Sequence, residues 1–214
     1  MSSKIVRWIG SDEAGKGDYF GPLVIAGVLV DNTIVKSLEE LGVKDSKRLS
    51  DNSVKELAAK IKKMCLCSVV TIGPAKYNEL YTKIRNLNRL LAWGHSRAIE
   101  NILNTEECDH ALADQFGDEK FIIAALMEKG KGIKVKQEIR AESDIGVAAA
   151  SILARAEFVH RLAMQSVKYG MDFPKGASPA VIETGKEFVR RYGKERLKEV
   201  AKIHFKTTKS VLAD

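Results

Sequence analysis

The sequence predicts an α/β fold, strands alternating with helices along one chain, and three features carry that reading. Leu23 to Val30 is an unbroken run of eight apolar residues, the pattern of a buried strand rather than of one with a wet face. Val54, Leu57, Ala58 and Ile61, and later Leu87, Leu90, Leu91, Ala98, Ile99 and Ile102, recur at the three-and-four spacing of amphipathic helices. Short β-branched or apolar stretches bounded by glycine, proline or aspartate stand between them.

Taken in order, Lys4 to Trp8 alternates polar and apolar side chains and predicts the first strand, with Asp12 and Glu13 at its exit. Neighbouring side chains of a regular strand point to opposite faces, so the two acids can share a ligand only where the strand ends or bends. Gly15 and Gly17 make a bend cheap and leave backbone N–H groups open to close approach. After the second strand, Asp31-Asn32 signals a turn, and the segment to Leu41 reads as a third short strand leading into a helical turn. Lys44 to Leu49 is a basic loop, and Ser50 or Asp51 caps a helix that runs to about Met64.

Cys67 to Ile72 reads as a strand ended by Gly73-Pro74, Ala75 to Tyr81 as a short helix, and Asn86 as the start of a longer helix through Leu103 on which Trp93 faces the core. His110 to Asp114 is a short strand ending in a carboxylate, with Asp118 free to cap the following helix, Phe121 to Lys129. Ile133 to Gln137 is a further strand with a basic face. The alanine-rich run before Arg155 is a helix with a thin face suited to close packing, and an acid at its start is favoured by the helix dipole whatever else it does. Beyond Gly170 the composition turns basic, and Pro179 behind Ser178 opens another helix.

A chain of 214 residues buries one sizeable core, so a single domain over 1–214 is expected, with 170–214 as its basic helical part. Thirty-five Lys and Arg against 28 Asp and Glu give a net charge of +7, which favours a polyanionic partner without naming one. Cys65, Cys67 and Cys108 form no C-x-x-C pair and read as reduced thiols of a cytoplasmic protein. The four histidines have no metal-ligand spacing, which argues against zinc. No apolar run approaches the roughly 20 residues of a membrane span, and no signal peptide is read at the N-terminus. A monomer away from membranes is expected.

An Asp-Glu pair before glycines is by itself an ordinary solvated turn, and a lone Asp at a strand end an ordinary cap. The longer strings change that. DEAGKGDYFGP from Asp12, with KDSKRL from Lys44, resembles the first two motifs of the type 2 ribonucleases H, and DYFGP resembles their ribonuclease HIII branch. NLNRLLAWGHSRAI, ADQF and RAES with VAAASILAR are similar to further HIII segments, as are FPKGAS and AKIHFKTT near the C-terminus, so the resemblance covers nearly the whole chain.

The resemblance implies a ribonuclease H-like α/β fold, a mixed central sheet flanked by helices with a small helical C-terminal extension. It also implies endonucleolytic cleavage of the RNA strand of RNA/DNA hybrids, leaving a 5′-phosphate and a 3′-hydroxyl. Asp12, Glu13, Asp114 and Glu142 match the four catalytic, metal-binding acids; Asp144 stays open as the alternative to Glu142. Such acids repel unless hard cations bind among them, which points to Mg2+, with Mn2+ as substitute. Two ions about 4 Å apart activate water and stabilise both oxygens of an in-line displacement.

Substrate contacts are implied at Gly15, Lys16, Gly17, Ser46, Lys47, Asn86, Ser151, Lys175 and Lys206, with Lys202 and Thr207 as further phosphate candidates. Backbone groups bared by Gly15 and Gly17 can meet the 2′-hydroxyl that separates RNA from DNA. HIII enzymes usually carry an extra N-terminal substrate-binding domain, whereas Ile9 of the first motif stands close to the start here; hybrid affinity is then expected from the basic surface, with steep salt dependence. Two other readings are incision at single ribonucleotides in DNA, as by ribonuclease HII, and a non-catalytic nucleic-acid-binding module.

Overall fold

A computed structural model describes residues 5–43 and 49–213. Its five-stranded sheet has the order β3-β2-β1-β4-β5, built from β1 (Arg7–Ala14), β2 (Leu23–Asp31), β3 (Cys67–Ile72), β4 (His110–Asp114) and β5 (Lys134–Glu138). Strands β1 and β4 run parallel, as do β4 and β5. The Gly15–Pro22 loop is shorter than the dozen or so residues a parallel crossover needs, so β1 and β2 run antiparallel and the sheet is mixed. The helices are α1 (Val35–Glu40), α2 (Asp51–Met64), α3 (Pro74–Ile84), α4 (Leu87–Leu103), α5 (Glu119–Ala125), α6 (Ile145–Tyr169), α7 (Pro179–Tyr192) and α8 (Thr207–Leu212).

Two compact units emerge from the contacts, each assembled from separated stretches: Met1–Glu13, Ile25–Val70 and Asn86–Ala156 in the first, and Ala14–Val24, Thr71–Arg85 and Glu157–Asp214 in the second. In the first unit, Ile9, Ala111, Ala113 and Val135 share one face of the sheet and pack on Ile99, Ile102, Leu103 and Ile122 from α4 and α5. The opposite face meets the start of α6. Its approach is close enough that a Cβ on Gly10 would lie 1.9 Å from the Gly146 carbonyl carbon. Because β1 alternates, Ser11 and Glu13 join the α4 face with Ile9, while Asp12 joins the α6 face with Gly10.

The structure departs from the sequence reading at three places. Strand β1 runs on past the expected Trp8 to Ala14, so the acidic pair at its exit lies within its last residues. The helical turn expected before Leu41 is helix α1, which buries only Leu38, but among the described residues no short strand stands between β2 and it: Asp31 accepts from Thr33 and Ile34 N–H and turns the chain straight into the helix. Helix α5 begins on its Asp118 cap and ends at Ala125, short of Lys129. Elsewhere the pattern holds: Ser50 caps α2 with its side chain, the four apolar positions of α2 are buried, and Asn86 caps α4. Trp93 is half-buried. No described helix is long and apolar enough to cross a membrane.

The second unit is organised around a buried cation. Lys202 is fully buried, and its Nζ donates to the carbonyls of Asp18 and Gly21 at 2.8 Å each, and of Phe20 at 3.5 Å, with the Tyr77 ring beneath it. Lys202 therefore ties down the loop after Gly17 and cannot reach a phosphate, which corrects its expected role. Burial pushes its ammonium down to about 7, opposed by Asp18. Between about 7 and the ordinary 10.5 the unfolded chain holds a proton that the folded chain has released, so stability rises with pH across that window. Urea denaturation of the native protein against Lys202→Met is expected to show an added slope of at most about 1.4 kcal/mol per pH unit, only in the native protein. Parallel pH profiles would contradict this.

Candidate active site

The first unit gathers the acids by strand register. The last register pair between β1 and β4 is Ser11↔Ala113, so Asp12 and Asp114 follow side by side on neighbouring parallel strands. Adjacent strands lie about 4.8 Å apart, and residues of matching register point to the same face. Both acids therefore face α6. Ser151, on α6, hydrogen-bonds the Asp12 side chain, and Asp12 Oδ1 accepts from the Glu13 N–H at 2.7 Å. Asp114 Oδ1 accepts from the Ala141 N–H at 2.9 Å, which docks the 3-10 turn Ala141–Ser143, and with it Glu142, against the end of β4.

Burial first, and the neighbouring Glu13 carboxylate second, push Asp12 up to about 7, against the opposing pull of Ser151, the Glu13 N–H and His95. These opposing pulls do not offset the burial. Glu13 is turned the other way, onto the α4 face, where its Oε2 lies 3.1 Å from His95 Nε2. The alternation of the strand turns the two side chains apart, but β1 ends one residue later and bends at Gly15, φ +84°, and Glu13 stays near enough to Asp12 to raise it. A side chain at Gly15 would also meet the Pro22 carbonyl at 2.2 Å, so the fold itself demands this glycine. Gly17 has open space around its Cβ position and no positive φ.

Asp144, the alternative to Glu142, is already engaged. Its Oδ1 caps α6 through the Val147 N–H at 3.0 Å, and both its oxygens accept from Trp8 Nε1. Asp118 likewise caps α5, which removes that duty from Asp114. Among the described residues no three His, Cys, Asp or Glu side chains converge into a ready-made metal cage. The donor set that lines the strand ends is all oxygen, and the elevated Asp12 carboxyl is the kind of group a hard cation would stabilise.

Of the expected substrate residues, Ser151 stands at Asp12, whereas Asn86 spends its side chain capping α4 through the Arg89 N–H. Ser46 and Lys47 lie outside the described residues. Just after them in the chain, the Leu49 carbonyl accepts from Arg155 of α6 at 2.8 Å; Arg155 also pairs with Asp51. In the second unit, Lys16 is half-buried, Gly17, Lys175 and Lys206 are exposed, and Thr207 is buried. Asp18 Oδ1 accepts from the Gly176 N–H, joining the loop after Gly17 to the one that carries Lys175. His95 escaped the sequence reading, although a polar residue on the apolar stripe of α4 was a visible signal.

A model of the ribonuclease HII family matches residues 9–208. Among curated relatives, the ribonuclease HIII of Protochlamydia amoebophila is 48% identical over 95% of this chain and 68% of its own, and that of Chlamydia pneumoniae is 45% identical over 93% and 68%. Among solved structures, a Bst-RNase HIII in complex with Mn2+ superposes with a TM-score of 0.90 at 32% identity, covering 97% of this chain and 69% of the other. The ribonuclease H2 of Pyrococcus horikoshii superposes with a TM-score of 0.81 at 26% identity, covering 96% and 97%. Fold and site together define a ribonuclease H-like hydrolase that acts on RNA. The chain belongs to the ribonuclease HII family, on its ribonuclease HIII branch.

Proposed function

We propose that the chain cleaves the RNA strand of RNA/DNA hybrids endonucleolytically, with Asp12, Glu13, Asp114 and Glu142 as its divalent-cation site. The carrying observation is the placing of Asp12 and Asp114 at matched positions of β1 and β4, with Asp12 driven up to about 7 by burial and by Glu13. Glu142 is proposed over Asp144 as the fourth acid, a choice supported by the α6 cap and Trp8 N–H groups that already occupy both Asp144 oxygens. Mg2+ is the proposed cation and Mn2+ its substitute, the latter in keeping with the Mn2+ complex of the Bst relative.

When bound, divalent cations supply an activated water and neutralise charge that develops at phosphorus. The chain's own residues do the rest. Asp12 and Asp114 present carboxylates from rigid strand ends, Ser151 orients Asp12, and the Ala141 N–H fixes Asp114 while holding the Glu142 turn beside it. Backbone at Gly15 and Gly17 is proposed to meet the 2′-hydroxyl, and Lys16, Lys175 and Lys206 to meet phosphates. No protein nucleophile is needed, and the products carry a 5′-phosphate and a 3′-hydroxyl. The enzyme is proposed to act as a cytoplasmic monomer.

The elevated Asp12 gives this reading a pH signature. Between the ordinary 3.8 and about 7 the folded chain holds a proton that the unfolded chain has lost, so without cation stability falls as pH rises through that window. A cation must displace that proton, so its affinity climbs with pH up to about 7 and then levels. Thermal melts with Mn2+ or chelator are expected to show a larger cation-induced rise in Tm at pH 8 than at pH 6. A rise independent of pH would contradict the involvement of Asp12. Assays on an RNA/DNA hybrid beside a duplex with one embedded ribonucleotide separate the proposed activity from ribonuclease HII-like incision.

A further inference from the structure

His95 is a fully buried histidine on a helix of the hydrophobic core, yet both its ring nitrogens are engaged. Nδ1 lies 2.7 Å from Ser11 Oγ and Nε2 lies 3.1 Å from Glu13 Oε2. Ser11 and Glu13 are two residues apart on one face of β1, so the ring spans the last inward-facing pair of that strand. Its flat face stacks on Phe116, with centroids 4.7 Å apart and planes inclined by 15°. Phe116 follows Asp114 by two residues, and its own N–H donates to Gln137 Oε1 at 3.1 Å.

Hydrogen counting fixes what the ring does. Ser11 has one hydroxyl hydrogen, and two acceptors compete for it: His95 Nδ1 and the Ala26 carbonyl, 3.0 Å away. If the hydroxyl donates to Nδ1, the neutral ring carries its hydrogen on Nε2. If it donates to Ala26, Nδ1 must carry a hydrogen to face Ser11 Oγ, and Nε2 must carry another to face an ionised Glu13. With Glu13 ionised, as a cation ligand would be, both arrangements point an N–H at its Oε2 and hold that carboxylate in one orientation. A rotating carboxylate would have to lose that bond inside a dry, stacked pocket, at the cost of leaving a buried N–H without its partner.

We propose that His95 is a positioning residue of the cation site: backed by Ser11 and clamped by Phe116, it locks Glu13 and ties the acidic end of β1 to the acidic end of β4. The proposal rests on the reading of Glu13 as a cation ligand. His95 touches neither cation nor substrate in this role; it acts through Glu13 as hydrogen-bonded outer partners act on metal-ligating carboxylates generally.

Calorimetric titration with Mn2+ alone, without nucleic acid, tests it. His95→Ala is expected to weaken Mn2+ binding about 10–100-fold, the usual cost of removing an outer partner, while the KM for hybrid at saturating Mn2+ stays unchanged. His95→Gln places an amide N–H where Nε2 stood and is expected to recover most of the affinity; His95→Asn reaches only the Nδ1 position and is expected to bind as weakly as His95→Ala. Equal Mn2+ affinities for the Gln and Asn variants would overturn the proposal even if His95→Ala does not fold, as would native affinity in a folded His95→Ala. Failure of the native protein itself to bind Mn2+ would instead remove the cation site, and this proposal with it.

Discussion

Asp114→Asn is expected to fold, to bind hybrid, and to lose cleavage by about a thousandfold, equivalent to roughly 4 kcal/mol of transition-state stabilisation. The substitution keeps Oδ1, so the Ala141 N–H retains its acceptor and the Glu142 turn stays docked. What changes is the second oxygen, now an amide, and the negative charge. An amide neither neutralises a cation nor competes with carboxylates for one, so the loss falls on chemistry rather than on architecture. Single-turnover cleavage at saturating Mg2+, beside a melting curve and a hybrid-binding isotherm, checks all three parts. Near-native turnover would remove Asp114 from the ligand set; loss of folding would show that its charge or its second oxygen is structural first.

Gly10→Ala is expected to have the largest effect on stability of any single methyl group added to the first unit. The new Cβ would lie 1.9 Å from Gly146 C, 2.1 Å from Val147 N and 2.5 Å from Gly146 O, all of them backbone atoms at the start of α6. Where side chains can yield, overpacking costs about 1–3 kcal/mol; here only the helix or the strand can move, so the cost lies at or above the top of that range. For a chain of this length, roughly 3 kcal/mol corresponds to a Tm lower by about 6–12 °C. Gly132→Ala, with nothing within 4 Å of its Cβ position, is the control and should stay within about 0.5 kcal/mol. Because α6 carries Ser151, displacing its start should also loosen Asp12 and lower activity in whatever Gly10→Ala protein remains folded. An unchanged melting temperature would mean that β1 and α6 do not meet at Gly10.

Long-range contacts like that of Gly10 with Gly146 separate the parts of the fold hidden in the sequence from those that were legible. Helix α2 was readable end to end because its signals are local: a Ser50 cap that binds the Ser53 N–H and four apolar residues on one face. Strand β4 was readable as an apolar run stopped by Asp114, and Asp118 supplied the neighbouring cap. The extension of β1 was hidden by Gly10, which looks like a break in a strand until the close packing of Gly146 shows why no side chain fits. At α1 the sequence predicts a strand ahead of the helical turn because Ile34 and Val35 favour extended backbone, and a six-residue helix that buries one leucine has little periodicity to display.

The site divides in the same way. Asp12, Glu13 and Asp114 stood out as acids at strand ends, and their motif strings added Glu142. The engagement of Asp144 by Trp8, far away in the chain, whose indole N–H donates to both its oxygens, left no trace in the local sequence. Lys202 looked like one basic residue in a basic segment, and only the three carbonyls around its Nζ reveal it as a buried tie. His95 showed as a polar residue on an apolar stripe, but its role was hidden for the same reason: both of its partners come from another stretch of sequence, on the opposite side of β2 and β3 in chain order. Properties that depend on long-range partners are not encoded in local pattern.

The central claim is that acids from β1, β4 and the turn before α6 work together through divalent cations on an RNA strand. Titrating Mg2+ or Mn2+ into the chelator-treated protein with a labelled RNA/DNA hybrid, beside an all-DNA duplex of the same sequence, tests it most directly. The expected result is no cleavage in chelator, restoration by either cation, products with 5′-phosphate ends on the RNA strand alone, and an intact DNA duplex. Efficient hybrid cleavage in excess chelator, or equal cutting of the DNA duplex, would contradict the account.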